Sequence, residues 1–301
     1  MSPAARSHAT GPIRLAVWYG KGGIGKSTTT IILSLLAARR GQRVLAIDLD
    51  PECGTSRDFL GRGVAAIPEN LKTFLEAPIP SAPPIVASGI EGIDLMPSVP
   101  DEQRFFRLYP EHSTRLADGM SLLPDDYDWM LMDVPNQFDN IAELGLIAAD
   151  YLILPVELTA DCVERVGTAL RIIDEAKSYN PRLRVIGALA LGSTPRAGRA
   201  LRLSAKEQLI HREYAEVLAA ADIPLFKTIM FRSSTTVEEA RSSADDKLLH
   251  WTVRRRFQNL LAEIQVRIKT HSLIRSPTSH DSRDAHAQQG RTPAAAGRRA
   301  A

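Results

Sequence analysis

Cysteine is almost absent from this chain of 301 residues. Cys53 and Cys162 are far apart in sequence and form neither a CxxC pair nor a zinc pattern. The expectation is therefore two reduced thiols in a cytoplasmic protein, not a disulfide framework. Long apolar runs are also missing, so no membrane-spanning helix is expected, and the first residues contain no apolar signal core. Charge of one sign is not in excess. The chain has 37 Lys and Arg against 35 Asp and Glu, a net charge of +2. That balance is too mild to demand a nucleic-acid partner, so any contact with DNA has to come from a local patch. No internal repeat is apparent.

What is present is concentrated between Gly20 and Thr28, where the chain reads GKGGIGKST. Gly20 to Ser27 fits the phosphate-cradling pattern Gly-x-x-x-x-Gly-Lys-Ser. Arg14 to Tyr19 before it is a short apolar run with the look of a buried strand. Thr28 to Arg40 after it carries Ile31, Ile32, Leu35 and Leu36 at helical spacing, and Gly41 ends the run. In a strand, glycine loop, helix arrangement, backbone N–H groups close around phosphate oxygens at the positive end of the helix dipole. Gly22, Gly23, Ile24, Gly25, Lys26, Ser27 and Thr28 are the candidate nucleotide-binding residues. Lys26 would reach the β- and γ-phosphates, and the Ser27 hydroxyl would ligate Mg²⁺. Lys21 is a second lysine that such a loop does not need for its own nucleotide. It suggests a charge meant for a nucleotide held by a partner subunit.

Two further apolar runs end in acids. Val44 to Asp48 leads into Asp48-Leu-Asp50-Pro51, and Tyr127 to Met132 leads into Asp133-Val-Pro135. Parallel α/β sheets place ligands outside the carboxyl ends of their strands, so the loop and both acidic ends would converge on one crevice. Asp133 is the natural magnesium-side acid, acting through a metal-bound water. Asp50 is the candidate to orient the attacking water. The expected fold is α/β, a mostly parallel twisted sheet flanked by helices in the three-layer P-loop NTPase architecture. Residues 1–12 read as a flexible tail, 13–270 as one ATPase domain, and 271–301, rich in Ser, Arg, Ala and Gln, as a disordered tail. Pro78 to Pro84 reads as a loop.

These motifs together resemble the deviant Walker A ATPases, and within them the ParA/Soj DNA-partition ATPases. The KGGxGK[ST]T loop is Lys21 to Thr28, the DxDP segment is Asp48 to Pro51, and the acidic-strand motif is Asp133 to Pro135. Ala148 to Val156 and Phe226 to Arg232 resemble the stretch after that motif and the late strand with its arginine. The resemblance implies an ATP sandwich homodimer in which Lys21 crosses to the partner's phosphates. It also implies that Thr28 sits near the phosphates and that Asp48 and Asp133 support the metal. ATP and Mg²⁺ are the implied cofactors. Non-specific double-stranded DNA and a ParB-like centromere-binding adaptor are the implied partners, with a cytoplasmic, nucleoid-associated location and no membrane. The chain has no Asn-Lys-x-Asp guanine-reading pattern, which favours ATP by analogy. Arg196, Arg199 and Arg202 are the candidate DNA contacts, with Lys206 beside them at helical neighbour spacing. Arg232 is added by the resemblance. Arg254 to Arg256, Arg267 and Lys269 form a further basic cluster.

The chain departs from the family where DPQG becomes Asp50-Pro-Glu52-Cys53 and where Asn136 replaces a second proline. Two alternatives belong to the same superfamily. An iron-protein of the nitrogenase type needs a cluster cysteine after the acidic strand, where this chain has Phe138-Asp139-Asn140. A MinD-type membrane-associated ATPase needs a terminal amphipathic helix. The stripe Val253, Phe257, Leu260, Leu261, Ile264 and Ile268 has that spacing, but such a stripe is more often core packing.

Overall fold

The computed structural model describes residues 11–100, 113–137, 140–193, 202–231 and 251–275. In chain order the strands are β1 (Ile13–Val17), β2 (Val44–Asp48), β3 (Val86–Ala87), β4 (Ile93–Met96), β5 (Trp129–Asp133), β6 (Tyr151–Glu157), β7 (Arg184–Gly192) and β8 (Met230–Phe231). The helices are α1 (Lys26–Ala38), α2 (Gly54–Leu60), α3 (Leu71–Glu76), α4 (Arg115–Met120), α5 (Asn140–Ala148), α6 (Ala160–Tyr179), α7 (Ala205–Ala219) and α8 (Trp251–Arg275). One sheet runs in the order β3-β4-β2-β5-β1-β6-β7-β8. Each pairing is parallel except that of β3 with β4.

Strands buried on both faces explain the unbroken apolar runs in the sequence. Ala16, Leu45, Ile47, Met130, Met132, Leu152 and Leu154 join one core cluster, and α5 and α6 pack there with Leu144 and Val166. Their chain neighbours Leu15, Val44, Ala46, Trp129, Leu131 and Ile153 join the other, shared with Ile32 and Leu36 of α1 and Leu260 and Ile264 of α8. This is the expected three-layer arrangement. The register brings the carboxyl ends level: Asp48 pairs with Asp133, and Val17 also pairs with Asp133. The glycine loop and both acidic ends therefore leave the sheet side by side.

Four details differ from expectation. Helix α1 starts at Lys26 and ends at Ala38, with Gly41 at φ 75 closing the turn. The late strand begins at Met230 and not at Phe226, because Glu263 of α8 accepts hydrogen bonds from the backbone N–H groups of Lys227 and Thr228. Those donors are then lost to the sheet. Arg202 precedes α7 and does not belong to it. Ser204 caps that helix, its hydroxyl accepting from Glu207 N–H. Helix α8 continues to Arg275, past the limit expected for the domain. The remainder of the expected tails lies outside the described residues.

From Phe257 onward the apolar stripe of α8 is core; the side chain of Val253 lies outside the description. Phe257, Leu260, Leu261, Ile264 and Ile268 are all buried against α1 and the sheet, which removes the basis for a membrane-inserting face there. No described helix is long and apolar enough to cross a membrane.

Candidate active site

The glycine loop turns where its glycines allow. Gly23 and Gly25 have φ 70 and 81, values that a side chain would strain. Gly22 is open apart from Asn136, whose side-chain nitrogen would lie 3.2 Å from an added Cβ. The replaced proline has thus become a neighbour of the loop. Gly25 caps α1, and the first turn carries Lys26, Ser27 and Thr28, with Thr29 Oγ1 donating to Gly25 O at 2.7 Å. Ser27 and Thr28 are half-buried. Lys26 is buried, and its ammonium donates back across the loop to Lys21 O at 3.3 Å. Burial lowers its pKa, while the nearby charges of Asp133 and Asp50 pull it back up.

Lys21 lies within its own subunit. Its Nζ is 2.9 Å from Glu157 Oε2 at the end of β6 and 3.1 Å from Asp161 Oδ2 in the first turn of α6. It also donates to Thr159 Oγ1 at 3.5 Å. Arg165 joins the network, reaching Asp161 Oδ1 at 3.2 Å and Gly20 O at 3.4 Å. Burial lowers the Lys21 pKa, but hydrogen bonds to Glu157 and Asp161 outweigh it and the net shift is upward. Nothing in the local sequence around Gly20 pointed to these partners more than 130 residues away.

The three aspartates behave differently. Asp48 is wholly buried and accepts hydrogen bonds through both oxygens. Its Oδ1 accepts from Asp50 N–H at 3.0 Å, and its Oδ2 accepts from Ser56 N–H at 2.7 Å and Ser56 Oγ at 2.6 Å. What the structure gives Asp48 is a hold on the loop from Asp50 to Ser56, whose donors its two oxygens face; the metal role carried over for it stays a proposal. Asp50 is half-buried, and its Oδ1 accepts from Glu52 N–H at 2.9 Å. Asp133 is also wholly buried, with Oδ2 accepting from Thr55 Oγ1 at 2.8 Å. Its Oδ1 is buried without a hydrogen bond. Desolvation pushes Asp133 up to about 6, although the Ser27 and Thr55 hydroxyls lower it. Desolvation, and then the charge of Asp133, push Asp48 well above the usual carboxylate range.

This donor set suits a magnesium ion and not a softer metal. Among the described residues, no cluster of three or more His, Cys, Asp or Glu could hold a metal ion by itself. Magnesium keeps several waters and is bound through few protein groups together with substrate phosphates. The half-buried Ser27 hydroxyl and the unbonded Asp133 Oδ1 provide such groups. When bound, the ion would neutralise phosphate charge. Lys26 and the loop N–H groups would hold the phosphates, and Asp50 stands on a pinned loop beside them.

Cys53 keeps the backbone of that loop. It adopts φ 53, the left-handed form that the family's glycine enters without strain. Both cysteines are free and wholly buried, which leaves neither at a subunit surface to share an iron–sulfur cluster. Thr55, Ser56, Glu157 and Asp161 are the site residues that sequence reasoning missed.

Of the candidate DNA contacts, Arg202 is exposed. Arg196, Arg199 and Arg232 lie outside the described residues. Two members of the basic cluster on α8 are internal braces. Arg256 donates to Ile229 O, and Arg267 donates to Ile186 O and Leu225 O and covers the Phe226 ring.

Residues 14–185 match the AAA domain family. The chain is 30% identical over 212 residues to the chromosome-partitioning ATPase Soj of Thermus thermophilus, an alignment covering 70% of this chain and 80% of that protein. A cobyrinic acid a,c-diamide synthase from Mycobacterium smegmatis, solved with bound ADP and magnesium, is similar at 26% identity and TM-score 0.61, covering 80% of this chain and 96% of that one. The ATP complex of Cyanothece McdA(D38A) shares the fold at TM-score 0.70 and 18% identity, over 85% of this chain and 97% of that one. With a glycine loop, two lysines and strand-end aspartates in one crevice, the chain belongs to the AAA-domain family of P-loop ATPases that includes the Soj/ParA chromosome-partitioning proteins.

Proposed function

We propose that this partition ATPase binds Mg·ATP, dimerises face to face around two nucleotides, and holds DNA non-specifically in that state. Hydrolysis, stimulated by a ParB-like centromere-binding adaptor, would release the DNA. The observation that supports the reading most is Lys21, a cation at the loop mouth beyond the one its own nucleotide requires. In the single subunit it rests on Glu157 and Asp161, so dimerisation has to exchange those carboxylates for a partner's phosphates. Lys26 and the loop from Gly22 to Thr28 would cradle the phosphates, Ser27 and Asp133 would serve the metal, and Asp50 would orient the water. Positioning and charge neutralisation account for catalysis of phosphoryl transfer in such sites.

DNA contact is assigned to Arg196, Arg199, Arg202 and Arg232, acting on phosphates without reading bases. The location that follows is the nucleoid. The experiment is retention on arbitrary duplex DNA at two salt concentrations, with ATP and with ADP, alongside light scattering for mass. ATP-dependent dimers that bind DNA, and lose it steeply as salt rises, support the reading. ATP turnover indifferent to DNA would overturn it. Lys21→Ala should lower hydrolysis and the dimer fraction together. Arg232→Glu should weaken retention on DNA while nucleotide binding is kept.

A further inference from the structure

Three consecutive residues at the start of α2 each touch a different part of the site. A Cβ on Gly54 would lie 3.0 Å from Ser27 Oγ, so the helix start presses against the P-loop serine. Thr55 Oγ1 donates to Asp133 Oδ2 at 2.8 Å, and Ser56 Oγ donates to Asp48 Oδ2 at 2.6 Å while accepting from Ser98 N–H at 2.9 Å. The Ser56 contact keeps the loop in place. The Thr55 contact does something else, because its acceptor is the acid on the magnesium side. Thr55 is wholly buried, and a carboxylate whose second oxygen is held by a hydroxyl cannot rotate without breaking that bond. Oδ1 accepts no hydrogen bond, and the Ser27 hydroxyl acts on the same carboxylate alongside Thr55.

We propose that Thr55 is a positioning residue for magnesium: its hydroxyl fixes Asp133 so that Oδ1 is the oxygen offered to the hydrated cation. The same contact ties the helix after Asp50 to the metal-side acid, so the cation and the water-orienting loop are held to one geometry. This rests on the Mg·ATP chemistry of the site. It needs neither DNA binding nor dimerisation.

The test uses the full chain with a fluorescent ATP analogue, titrated with magnesium and, separately, in EDTA. Outer partners of metal-binding groups commonly alter metal affinity by about 10-fold or more. Thr55→Val keeps the shape and removes the donor, so the magnesium midpoint should rise by about 10-fold. Binding in EDTA should stay within about twofold, and Thr55→Ser should return the midpoint most of the way. A midpoint for Thr55→Val within about twofold of the wild type overturns the proposal. So does a Thr55→Ser midpoint shifted as far as that of Thr55→Val, or an equal loss of binding in EDTA. Thermal melting checks that the variants fold, and Thr55→Ala replaces Thr55→Val if valine does not. Failure of the wild-type chain to bind nucleotide at all would instead refute the chemistry assigned to the site.

Discussion

At the scale of single residues, the site is governed by what each carboxylate has left to give. Asp48 accepts hydrogen bonds from the loop it anchors through both oxygens, whereas Asp133 Oδ1 accepts none. Desolvation holds Asp133 above the usual carboxylate range, and it shares its titration with the buried Asp48 beside it, which is raised as well. A proton on this pair competes with a cation, so magnesium-dependent nucleotide binding should strengthen as pH rises out of the acid range and level off once the pair is ionised. Calorimetry with Mg·ATP across pH 5–8 reads this, and Asp133→Asn should flatten the profile. In the proposed cycle Asp50 acts later. Asp50→Ala should retain nucleotide and lose at least about 100-fold in turnover, an effect in the range for a positioned proton-handling group; wild-type phosphate release by that variant would contradict its role. Cys53 illustrates a different constraint, since it occupies a left-handed conformation at a cost of about 1 kcal/mol. Its wholly buried side chain offsets some of that.

At the scale of elements, acidic side chains act as clasps between segments. Glu207 is buried at the start of α7 and accepts from Ser193 N–H at 2.6 Å and from Ser204 N–H at 2.8 Å, closing both ends of the segment between β7 and α7. Burial alone would raise its pKa, but these hydrogen bonds bring it down to about 2. A depressed carboxyl stabilises the fold above its unfolded pKa and loses that contribution as pH falls toward the folded value. Glu207→Gln should therefore cost about 2 kcal/mol near neutrality, and the two proteins should converge between about pH 4.5 and 2 in denaturant titrations. Glycine 187 in β7 poses a steric test. A methyl there would lie 2.9 Å from both Phe226 Cε2 and Pro224 O and closer still to Arg267 Nη1. The guanidinium can move aside, but the carbonyl and ring cannot, so Gly187→Ala should destabilise by about 2 kcal/mol in thermal unfolding. The start of α7 was legible in Ser204-Ala-Lys-Glu207, a capping-box pattern that the arginine spacing around it obscured.

At the scale of the whole molecule, the sheet and its crevice were legible because buried parallel strands write themselves as apolar runs, and their functional ends as Gly or Asp. Arg14 to Tyr19, Val44 to Asp48 and Tyr127 to Asp133 carried that signal; β2 has those bounds, β1 ends two residues earlier at Val17 and β5 starts two residues later at Trp129. The carboxylates that hold Lys21 were not legible, because Glu157 and Asp161 meet it only after β6 is laid beside β1. Arginines on α8 were misleading for a similar reason. A basic helical face has the same spacing whether it meets phosphates or, as Arg256 and Arg267 do, a row of carbonyl oxygens. The β3 rim of the sheet has a consequence for assembly. β3 is two residues long, with described chain on both sides of it that does not pair. A rim that short gives an incoming chain few rungs to grip, so filaments grown by lateral stitching onto β3 are disfavoured. Higher assemblies of this ATPase should leave the backbone amides of β3 no better protected from exchange than in a single copy.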